Sequence, residues 1–295
     1  MIACRSAAKR VRSWPPANRL LTGAGKAVFR DHAPEFVMAH LPRQGEVEVT
    51  LPTGATLRLW SQGDDWITSR VWWQGLAGYE PEMVTPFLRF AATARTVIDV
   101  GAFVGFYALL AARTNPAARV FAFEPNPDLA ARIGRNVSLN HGLRVTVLPY
   151  AAGASQGPAS FYLGGDWLPS SSGLSVGMVR PVGTMPTATV DLDSFVRQWG
   201  LEGSVDLVKV DVELAEPEVL SGMPETLRRD RPVLFCEVLP DSDLARLEGS
   251  LSGLGYCYFH LTPPGPRPES SLVPHEKLFN HLLCPEEKLP DWLAR

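Results

Sequence analysis

Short hydrophobic runs alternate with helix-like segments along the middle of the chain. The runs TVIDVG (96–101), RVFAFE (119–124) and RVTVLPY (144–150) are rich in β-branched and aromatic residues and predict three strands. The segments FYALLAART and NPDLAARIGRNVSLN between them predict helices, and the second begins with Asn126 and Pro127, a favoured cap and first-turn pair. Strands that are apolar throughout are buried on both faces, so the pattern predicts a parallel sheet covered by helices.

The same alternation continues in the second half of the chain. Further strands are predicted for VDLVKVDVE (205–213), RPVLFCEV (231–238), YCYFHL (256–261) and LFNHLLC (278–284). Helices are predicted from Pro217 and around 242–253. The last two runs are joined by a loop rather than a helix, which predicts an antiparallel hairpin at the sheet edge. The whole pattern predicts an α/β fold with a doubly wound, mostly parallel, Rossmann-like sheet.

The segments outside this alternation have a different composition. Residues 1–77 are predicted to form an N-terminal extension with a basic leader, helical patches, a Trp-rich part and the β-hairpin pattern EVEVTLPTGATLRLW. Residues 78–295 form the sheet domain. A stretch rich in Gly, Ser and Pro interrupts it at 155–190 and predicts a semi-ordered flap with short strands at ASFYL, GLSV and TATV. Trp167 in the flap would stack on a flat or sugar-like substrate.

Composition and charge exclude several classes of protein. The 295 residues carry a net charge of −3, and the sequence pI of about 6.1 gives no electrostatic case for binding nucleic acid. The four cysteines form no CxxC pair, which argues against a zinc ribbon or a disulfide framework and fits a reducing cytosol. No stretch is long and apolar enough to span a bilayer. A cytoplasmic location is therefore expected.

The N-terminal segment is basic but lacks the hydrophobic region of a secretion signal. Between Met1 and Arg30 there are seven basic residues and no acidic one. Such a run predicts a solvated leader, and contact with an acidic partner or a membrane surface is the alternative. Together with the Trp-rich hairpin, this arm would also suit the interface of a homodimer.

A glycine-containing turn follows the first strand of the sheet. In the pattern D-x-G-x-x-x-G, Gly101 would let a ligand lie against bare backbone, and Gly105 would let the next helix begin close to the strand. A dinucleotide fingerprint would have glycine at position 103, where this chain has Phe103, so a pyrophosphate has less room. Glu124 ends the second strand about 20 residues later, where an acidic residue accepts hydrogen bonds from ribose. Together with Asp99, these residues predict an adenosine-containing ligand with a short acidic tail.

Three carboxylates are predicted to converge where two other strands end. Asp211 and Glu213 share one side of the fourth strand, and Glu237 ends the fifth, its expected neighbour. These groups would bind a substrate and accept its proton, with Asp211 as the first choice of base. Alternatively they would bind Mg²⁺, or serve only as helix caps and ion-pair partners. His260, which follows an aromatic strand, is a weaker candidate for contact with substrate.

Four segments together resemble FkbM-family, class I methyltransferases that depend on S-adenosylmethionine. They are VIDVGAFVGFYALLAA, VFAFEPNPDLAARIGRNVSLN, DLVKVDVELAEPEVLSG and RPVLFCEV, and the resemblance spans about two-thirds of the chain, from Gly78 to Pro285. It implies a seven-stranded sheet whose last strand is antiparallel. It also implies methylation of hydroxyls on sugars, polyketides or other secondary metabolites.

The resemblance implies roles for particular residues. Asp99, Gly101 and Gly105 would hold the methionine part of the cofactor, and Glu124 its ribose. Adenine would lie beside Ala151 and Ala152. The cofactor-binding set also includes Phe103, Pro125 and Asp211. Glu80 is similar to a family element near the cofactor and is a candidate for contact with substrate.

Two positions depart from the family pattern and keep other functions open. Phe103 replaces a smaller residue, and Leu214 stands where the family has glycine in VEGAE. An NAD-dependent oxidoreductase is one alternative, because Glu124 suits either ribose, although Phe103 and the acidic cluster argue against it. A non-catalytic S-adenosylmethionine-binding protein is the other, because Leu214 lies beside the expected chemistry. The prediction is an O-methyltransferase acting on a small-molecule hydroxyl.

Overall fold

An eight-stranded, mostly parallel sheet forms the centre of the computed structural model, which describes residues 14–163 and 183–293. Its strands are β3 (Thr96–Val100), β4 (Arg119–Phe123), β5 (Val145–Leu148), β9 (Val205–Val210), β10 (Val233–Glu237), β11 (Tyr256–Thr262), β12 (Gly265–Glu269) and β13 (Asn280–Pro285). Their order across the sheet is β12-β11-β13-β10-β9-β3-β4-β5. The chain winds outward from β3 in one direction and from β9 in the other, which confirms the doubly wound α/β fold.

Helices cover both faces of the sheet, as the apolar strands predicted. In chain order, the helices of the described residues are α1 (Pro15–Phe29), α2 (Glu35–His40), α3 (Trp66–Gln74), α4 (Pro81–Ala91), α5 (Phe106–Thr114), α6 (Pro127–Ser138), α7 (Leu192–Gln198), α8 (Glu216–Ser221), α9 (Pro224–Arg229) and α10 (Leu244–Leu251). The first two pack in a separate N-terminal cluster. Asn126 caps α6 with its side chain, as predicted. No helix in the described ranges is long and apolar enough to cross a membrane.

The seven strands predicted from the hydrophobic runs are all present, but the order of the last ones differs from the expectation. An antiparallel hairpin does form the edge, and its strands are β11 and β12. The last strand, β13, lies inside the sheet, antiparallel to both β10 and β11. The extra strand β12 contains Pro266 and Pro268, which lack an N–H donor and are tolerated in a strand only at an edge.

The N-terminal extension contains the predicted hairpin and packs tightly on the sheet domain. Strands β1 (Gly45–Thr50) and β2 (Thr56–Ser61) are antiparallel. Two buried asparagines bind the backbone of β2: Asn136 Oδ1 accepts from the N–H of Trp60 at 2.7 Å, and Asn140 Oδ1 accepts from that of Arg58 at 2.9 Å. Apolar residues of the hairpin and of the sheet form one continuous core.

The flap predicted at 155–190 contains two of its three expected strands. Strands β7 (Gly157–Leu163) and β8 (Gly183–Val190) pair with each other, and β6 (Ala151–Ala152) pairs with β8, giving a small three-stranded sheet. The segment GLSV and Trp167 lie outside the described residues. The flap strands begin directly after the end of β5, and therefore beside the ligand-binding edge of the main sheet.

Candidate active site

A cavity of about 550 Å³ lies at the carboxyl ends of β3, β4, β9 and β10. This is the point where the winding direction of the sheet reverses, and it is where open α/β sheets bind ligands. The cavity also has the volume of an ordinary small-molecule site. Eleven predicted site residues line it: Glu80, Asp99, Gly101, Phe103, Glu124, Pro125, Ala151, Ala152, Asp211, Glu213 and Glu237.

The two glycines of the turn are required by the protein itself. Gly101 has φ +78°, and a Cβ there would lie 1.8 Å from the carbonyl oxygen of Asp211. Gly105 has φ +81°, and its Cβ would lie 2.8 Å from Cγ2 of Ile133 in α6. Gly105 is not among the described residues that line the cavity. The expectation that a passing ligand excludes side chains here is therefore corrected, because neighbouring protein atoms already do so.

Glu124 is held rigidly at the end of β4. Its Oε2 accepts the backbone N–H of Phe103 at 2.9 Å, and its Oε1 accepts that of Asn126 at 2.9 Å. Phe103 adopts a positive φ of 53°, which turns its N–H toward the carboxylate. Burial raises the pKa of Glu124 to about 7 in spite of these two donors. The carboxylate is thus fixed in place while each oxygen keeps acceptor capacity.

Lys209 on β9 is a buried cation beneath the glycine turn. Its ammonium lies 2.8 Å from Oδ2 of Asp211 and 3.9 Å from Oδ1 of Asp99. Burial disfavours its charged form, but Asp211, Asp99 and Glu80 outweigh this and raise the pKa of Lys209 above its usual value. Lys209 lines the cavity. In the sequence, only its place near Asp211 pointed to it as a residue of the site.

Asp99 points into the start of α5. Its Oδ2 accepts the backbone N–H of Ala108 at 2.9 Å, so it fixes the first turn of that helix against β3. Burial raises the pKa of Asp99 to about 6, although Lys209 opposes the shift. Within the part of the chain that the structure describes, Asp99 Oδ1 has no hydrogen-bond partner. Asp99 thus acts chiefly by positioning the turn.

Glu80 precedes α4 and connects three parts of the fold. Its Oε2 accepts from the hydroxyl of Tyr107 at 2.8 Å, and its Oε1 accepts from Nδ2 of Asn280 at 2.9 Å. Burial, followed by the charge of Asp211, raises the pKa of Glu80 to about 7. The structure therefore brings Glu80 to the cavity wall, where the sequence placed it only by family similarity.

Glu213 and Glu237 carry carboxyl groups that ionise with difficulty. Burial, together with the charge of Asp211, raises the pKa of Glu213 to about 8. The same causes, in the same order, raise the pKa of Glu237 well above its usual range. Glu213 and Leu214 both have positive φ values, 55° and 73°, so Leu214 occupies a left-handed conformation that favours glycine. A glycine would adopt this conformation without strain, because it has no Cβ.

The alternative of an Mg²⁺ site on these carboxylates has no support in the geometry. Among the described residues, Asp211, Glu213 and Glu237 do not bring three ligand oxygens within 4.8 Å of one another. The ammonium of Lys209 is instead the cation beside Asp211.

Acidic residues outnumber basic ones at the cavity wall. Among the residues that the structure describes, two basic residues line the cavity, Arg70 and Lys209. The acidic residues that line it number seven: Glu80, Glu82, Asp99, Glu124, Asp211, Glu213 and Glu237. Crowding and burial of these carboxyls explain why so many of their pKa values are raised. Such a site favours a cationic ligand and disfavours a phosphate.

Several residues of the cavity wall were missed from the sequence. Trp66, Ile67 and Arg70 come from α3 in the N-terminal extension, and their approach depends on how the hairpin packs. His260 was predicted to contact substrate, but it is not among the described residues that line the cavity. Its Nε2 faces the carbonyl of Leu278 at 2.9 Å, and Leu278 lines the wall instead.

A doubly wound sheet with a cavity at its switch point is the architecture of ligand-binding α/β proteins, which differ widely in function. Sequence comparison identifies the family. Residues 99–258 match the profile described as the Methyltransferase FkbM domain. This match covers more than half of the chain. The chain belongs to the FkbM methyltransferase family, as the sequence motifs predicted.

Curated relatives support the same family. The chain is 34% identical over 152 residues to the hexuronic acid methyltransferase AglP of Haloferax volcanii. This alignment covers 50% of this chain and 58% of that protein. It is 30% identical over 168 residues to the 2-O-methyltransferase NoeI of Sinorhizobium fredii, covering 52% and 66% respectively. The alignments thus span roughly three-fifths of the length of these relatives.

Among solved structures, the methyltransferase FkbM of Methylobacillus flagellatus aligns with a TM-score of 0.41 and 17% identity. The alignment covers 73% of this chain and 53% of that one.

Proposed function

We propose that the protein transfers a methyl group from S-adenosylmethionine to a hydroxyl of a small molecule. The observation that supports this most is the acidic cavity at the switch point, with Glu124 fixed for a ribose. When bound, S-adenosylmethionine supplies a methyl group on a cationic sulfur. An acidic cavity suits that charge, and it opposes the pyrophosphate of NAD.

The residues present fit an S-adenosyl ligand. Glu124 has a free lone pair on each oxygen for the ribose hydroxyls, because each oxygen accepts only one backbone N–H. Ala151 and Ala152 are small and line the cavity just after β5, so they leave room for a planar ring. Gly101 and Phe103, in the turn after β3, and Pro125, after β4, form part of the cavity wall. Asp99 and Lys209 hold the turn in place from below.

Glu213 is the residue that we propose as general base. A hydroxyl acceptor loses a proton during transfer, and a base works best when its pKa is near the working pH. The pKa of Glu213 is about 8, and this residue lines the cavity. Asp211, the first choice from the sequence, is already the ion-pair partner of Lys209 at 2.8 Å. We assign Asp211 the role of fixing Lys209, and Glu237 that of shaping the acceptor site.

We propose a sugar hydroxyl as the acceptor. The names of the two relatives describe methylation of a hexuronic acid and a 2-O position. In this chain the guanidinium of Arg70 lies 5.0 Å from the centre of the Trp66 ring and 2.8 Å from Oε1 of Glu35, and both Arg70 and Trp66 line the cavity. The N–H groups of Arg70 that Glu35 does not occupy can bind a carboxylate or hydroxyl of a sugar.

Calorimetric titration tests the cofactor first. S-adenosylmethionine and S-adenosylhomocysteine should bind with a dissociation constant of about 1–100 μM, and NAD⁺ should bind much more weakly. Glu124→Ala should weaken binding at least about 10-fold, because the ribose loses its charged acceptor. Asp128→Asn, on the exposed start of α6 close by, is the matched control and should bind normally.

Methyl transfer tests the second half of the proposal. A panel of uronic acids and neutral sugars with radiolabelled S-adenosylmethionine should give labelled ether products. Tighter binding of NAD⁺ would exclude the methyltransferase assignment. Binding of S-adenosylmethionine without transfer to any hydroxyl acceptor would favour the non-catalytic alternative that Leu214 suggests.

A further inference from the structure

Three histidines and one glutamate cluster at the antiparallel edge of the sheet, outside the acidic cavity. His260 lies on β11 and pairs across the strands with His281 on β13. Glu269 ends β12, and His275 lies in the loop between β12 and β13. Ligand atoms of His260, Glu269 and His275 all lie within 4.8 Å of one another. The function proposed above uses none of these four side chains.

The hydrogen bonds of this cluster fix one ring nitrogen of each histidine. His275 Nε2 lies 2.9 Å from Oε1 of Glu269. His260 Nε2 faces the carbonyl of Leu278 at 2.9 Å, and His281 Nδ1 faces that of Phe279 at 3.1 Å. When those nitrogens carry the protons, the other ring nitrogen of each histidine is an acceptor. Histidines that bind metals have this arrangement, with one N–H donated to a backbone carbonyl and the other nitrogen free for the metal.

Two polar atoms of the cluster are buried without a hydrogen-bond partner among the described residues. Glu269 Oε2 and His281 Nε2 are buried and, within residues 14–163 and 183–293, have no hydrogen-bond partner. The His281 side chain is 0% exposed, and its Nε2 is aimed at Glu269 Oε2 from 3.5 Å.

We infer that this cluster is a binding site for a divalent transition-metal ion, Zn²⁺, with His260, His275 and Glu269 as ligands and His281 directed at the ligand carboxylate. Imidazole and carboxylate ligands suit this ion, and the set has no thiolate. Acceptor nitrogens and a carboxylate buried together are costly when nothing cationic lies between them.

Binding requires one rearrangement, and the structure indicates which side chain makes it. The rings of His260 and His275 are stacked with centroids 3.4 Å apart and an angle of 7° between their planes, so both cannot point at one ion as they stand. His260 is held by its strand and by its hydrogen bond to the carbonyl of Leu278, whereas His275 lies in the loop with 29% of its side chain exposed. The hydrogen bond between His275 Nε2 and Oε1 of Glu269 would be replaced by bonds from both residues to the metal. His275 therefore rotates out of the stack when the metal binds.

Metal binding at this site would fix one wall of the cavity. The ligands tie the loop between β12 and β13 to β11 and β12, and Leu278 in this loop lines the cavity. The role is structural, because the cluster lies behind Leu278.

Cobalt substitution tests the site without relying on activity. The full-length protein, freed of metal with a chelator, is titrated with Co²⁺, and the visible d–d bands of four-coordinate Co²⁺ are recorded. Bands that saturate at one equivalent, with a dissociation constant of about 1–10 μM, and disappear on adding Zn²⁺ are expected.

The variants identify the ligands. His275→Ala and Glu269→Gln should each weaken Co²⁺ binding at least about 10-fold, and His281→Ala should weaken it by about 10-fold through the carboxylate. His141→Ala, an exposed histidine at another place in the fold, is the matched control and should bind as the parent does. Absence of saturable bands in the parent overturns the proposal. So does equal affinity in the parent, His275→Ala and Glu269→Gln proteins, because the ion would then be bound elsewhere.

Discussion

The ammonium of Lys209 lies 2.8 Å from the carboxylate of Asp211, and only 4% of the lysine side chain is exposed. Asp99 approaches the same ammonium at 3.9 Å, and the ring of Tyr107 lies 5.3 Å from it. One buried cation thus offsets part of the acidic charge beneath the cavity.

Lys209→Met should destabilise the protein by about 3–5 kcal/mol, because it leaves the buried Asp99 and the half-buried Asp211 without their cation. The free energy of unfolding from urea titrations measures the effect. Lys277→Met, at an exposed position, is the control and should change stability by less than about 0.5 kcal/mol. Adding Asp211→Asn to Lys209→Met should recover part of the loss, and strictly additive losses would contradict the pairing.

Binding of S-adenosylmethionine should release protons near pH 7.5. The pKa values of Glu124, Glu80 and Glu213 are raised to about 7, about 7 and about 8, so these groups are partly protonated at that pH. A cationic ligand favours their charged forms and lowers these pKa values. Calorimetry in buffers with different ionisation enthalpies measures the protons released. S-adenosylhomocysteine, which lacks the sulfonium charge, is the control, and equal release for both ligands would contradict the argument.

Methyl transfer should show a rising pH limb near pH 8. Glu213 must be deprotonated to accept a proton, and its pKa in the free protein is about 8. The limb should appear in kcat/KM for S-adenosylmethionine, which reports the protein before that ligand binds. Glu213→Gln should lower kcat by about 10²–10⁴-fold and remove the limb. If Asp211→Asn removes the limb and Glu213→Gln keeps it, Asp211 is the base.

Gly101→Ala should cost about 3 kcal/mol or more of folding free energy, because its Cβ would overlap the carbonyl oxygen of Asp211 and φ is +78°. Gly134→Ala in α6 is the matched control. Within the described ranges no atom lies within 4 Å of its Cβ beyond its own helix, so it should stabilise the protein by about 0.5–1 kcal/mol. Thermal unfolding compares the two, and a Gly101→Ala protein as stable as the parent would contradict the crowding.

The ligand-free protein should lose stability as the pH rises from about 6.5 to about 8. Folded pKa values of about 7 for Glu216 and about 8 for Glu213 lie above the ordinary value of 4.5, so the folded state binds more protons than the unfolded state in this range. Stability contributed by such groups is complete below pH 4.5 and is lost as the pH passes the folded pKa. Below pH 6.5 the lowered pKa of His281, about 4 because of burial, acts in the opposite direction.

Urea unfolding at several pH values measures this slope. Glu216→Gln should reduce it, because this buried carboxyl would no longer titrate, and Glu202→Gln at an exposed position should leave it unchanged. A slope of the opposite sign between about pH 6.5 and about pH 8 would contradict the raised pKa values.

The sequence predicted those features that depend on local pattern. β-branched runs located seven strands, and Glu124 and Asp211 were placed at strand ends because a parallel sheet brings those ends to one edge. Residues whose position depends on distant packing could not be predicted in this way. Trp66 and Arg70 reach the cavity because Asn136 and Asn140 bind the hairpin and Arg132 pairs with Asp64 and Asp65 at the start of α3.

The sequence also did not predict which residues adopt unfavourable backbone angles. The positive φ values of Phe103 and Leu214 follow from the turns they occupy, and the side chains themselves oppose them. The insertion of β13 depends on pairing across the sheet, which a local pattern does not encode. The position of Glu269 beside three histidines likewise depends on pairing across the sheet and was not predicted.

The central position of β13 has a consequence for biosynthesis. Its partners β10 and β11 leave the ribosome first, and about 48 residues separate the end of β10 from the end of β13. At about 5–20 residues per second, the apolar edge of β10 stays unpaired for several seconds in every nascent chain. An open, hydrophobic edge of this kind is prone to association with other chains. Chaperone protection is therefore most needed in the interval before β13 is translated.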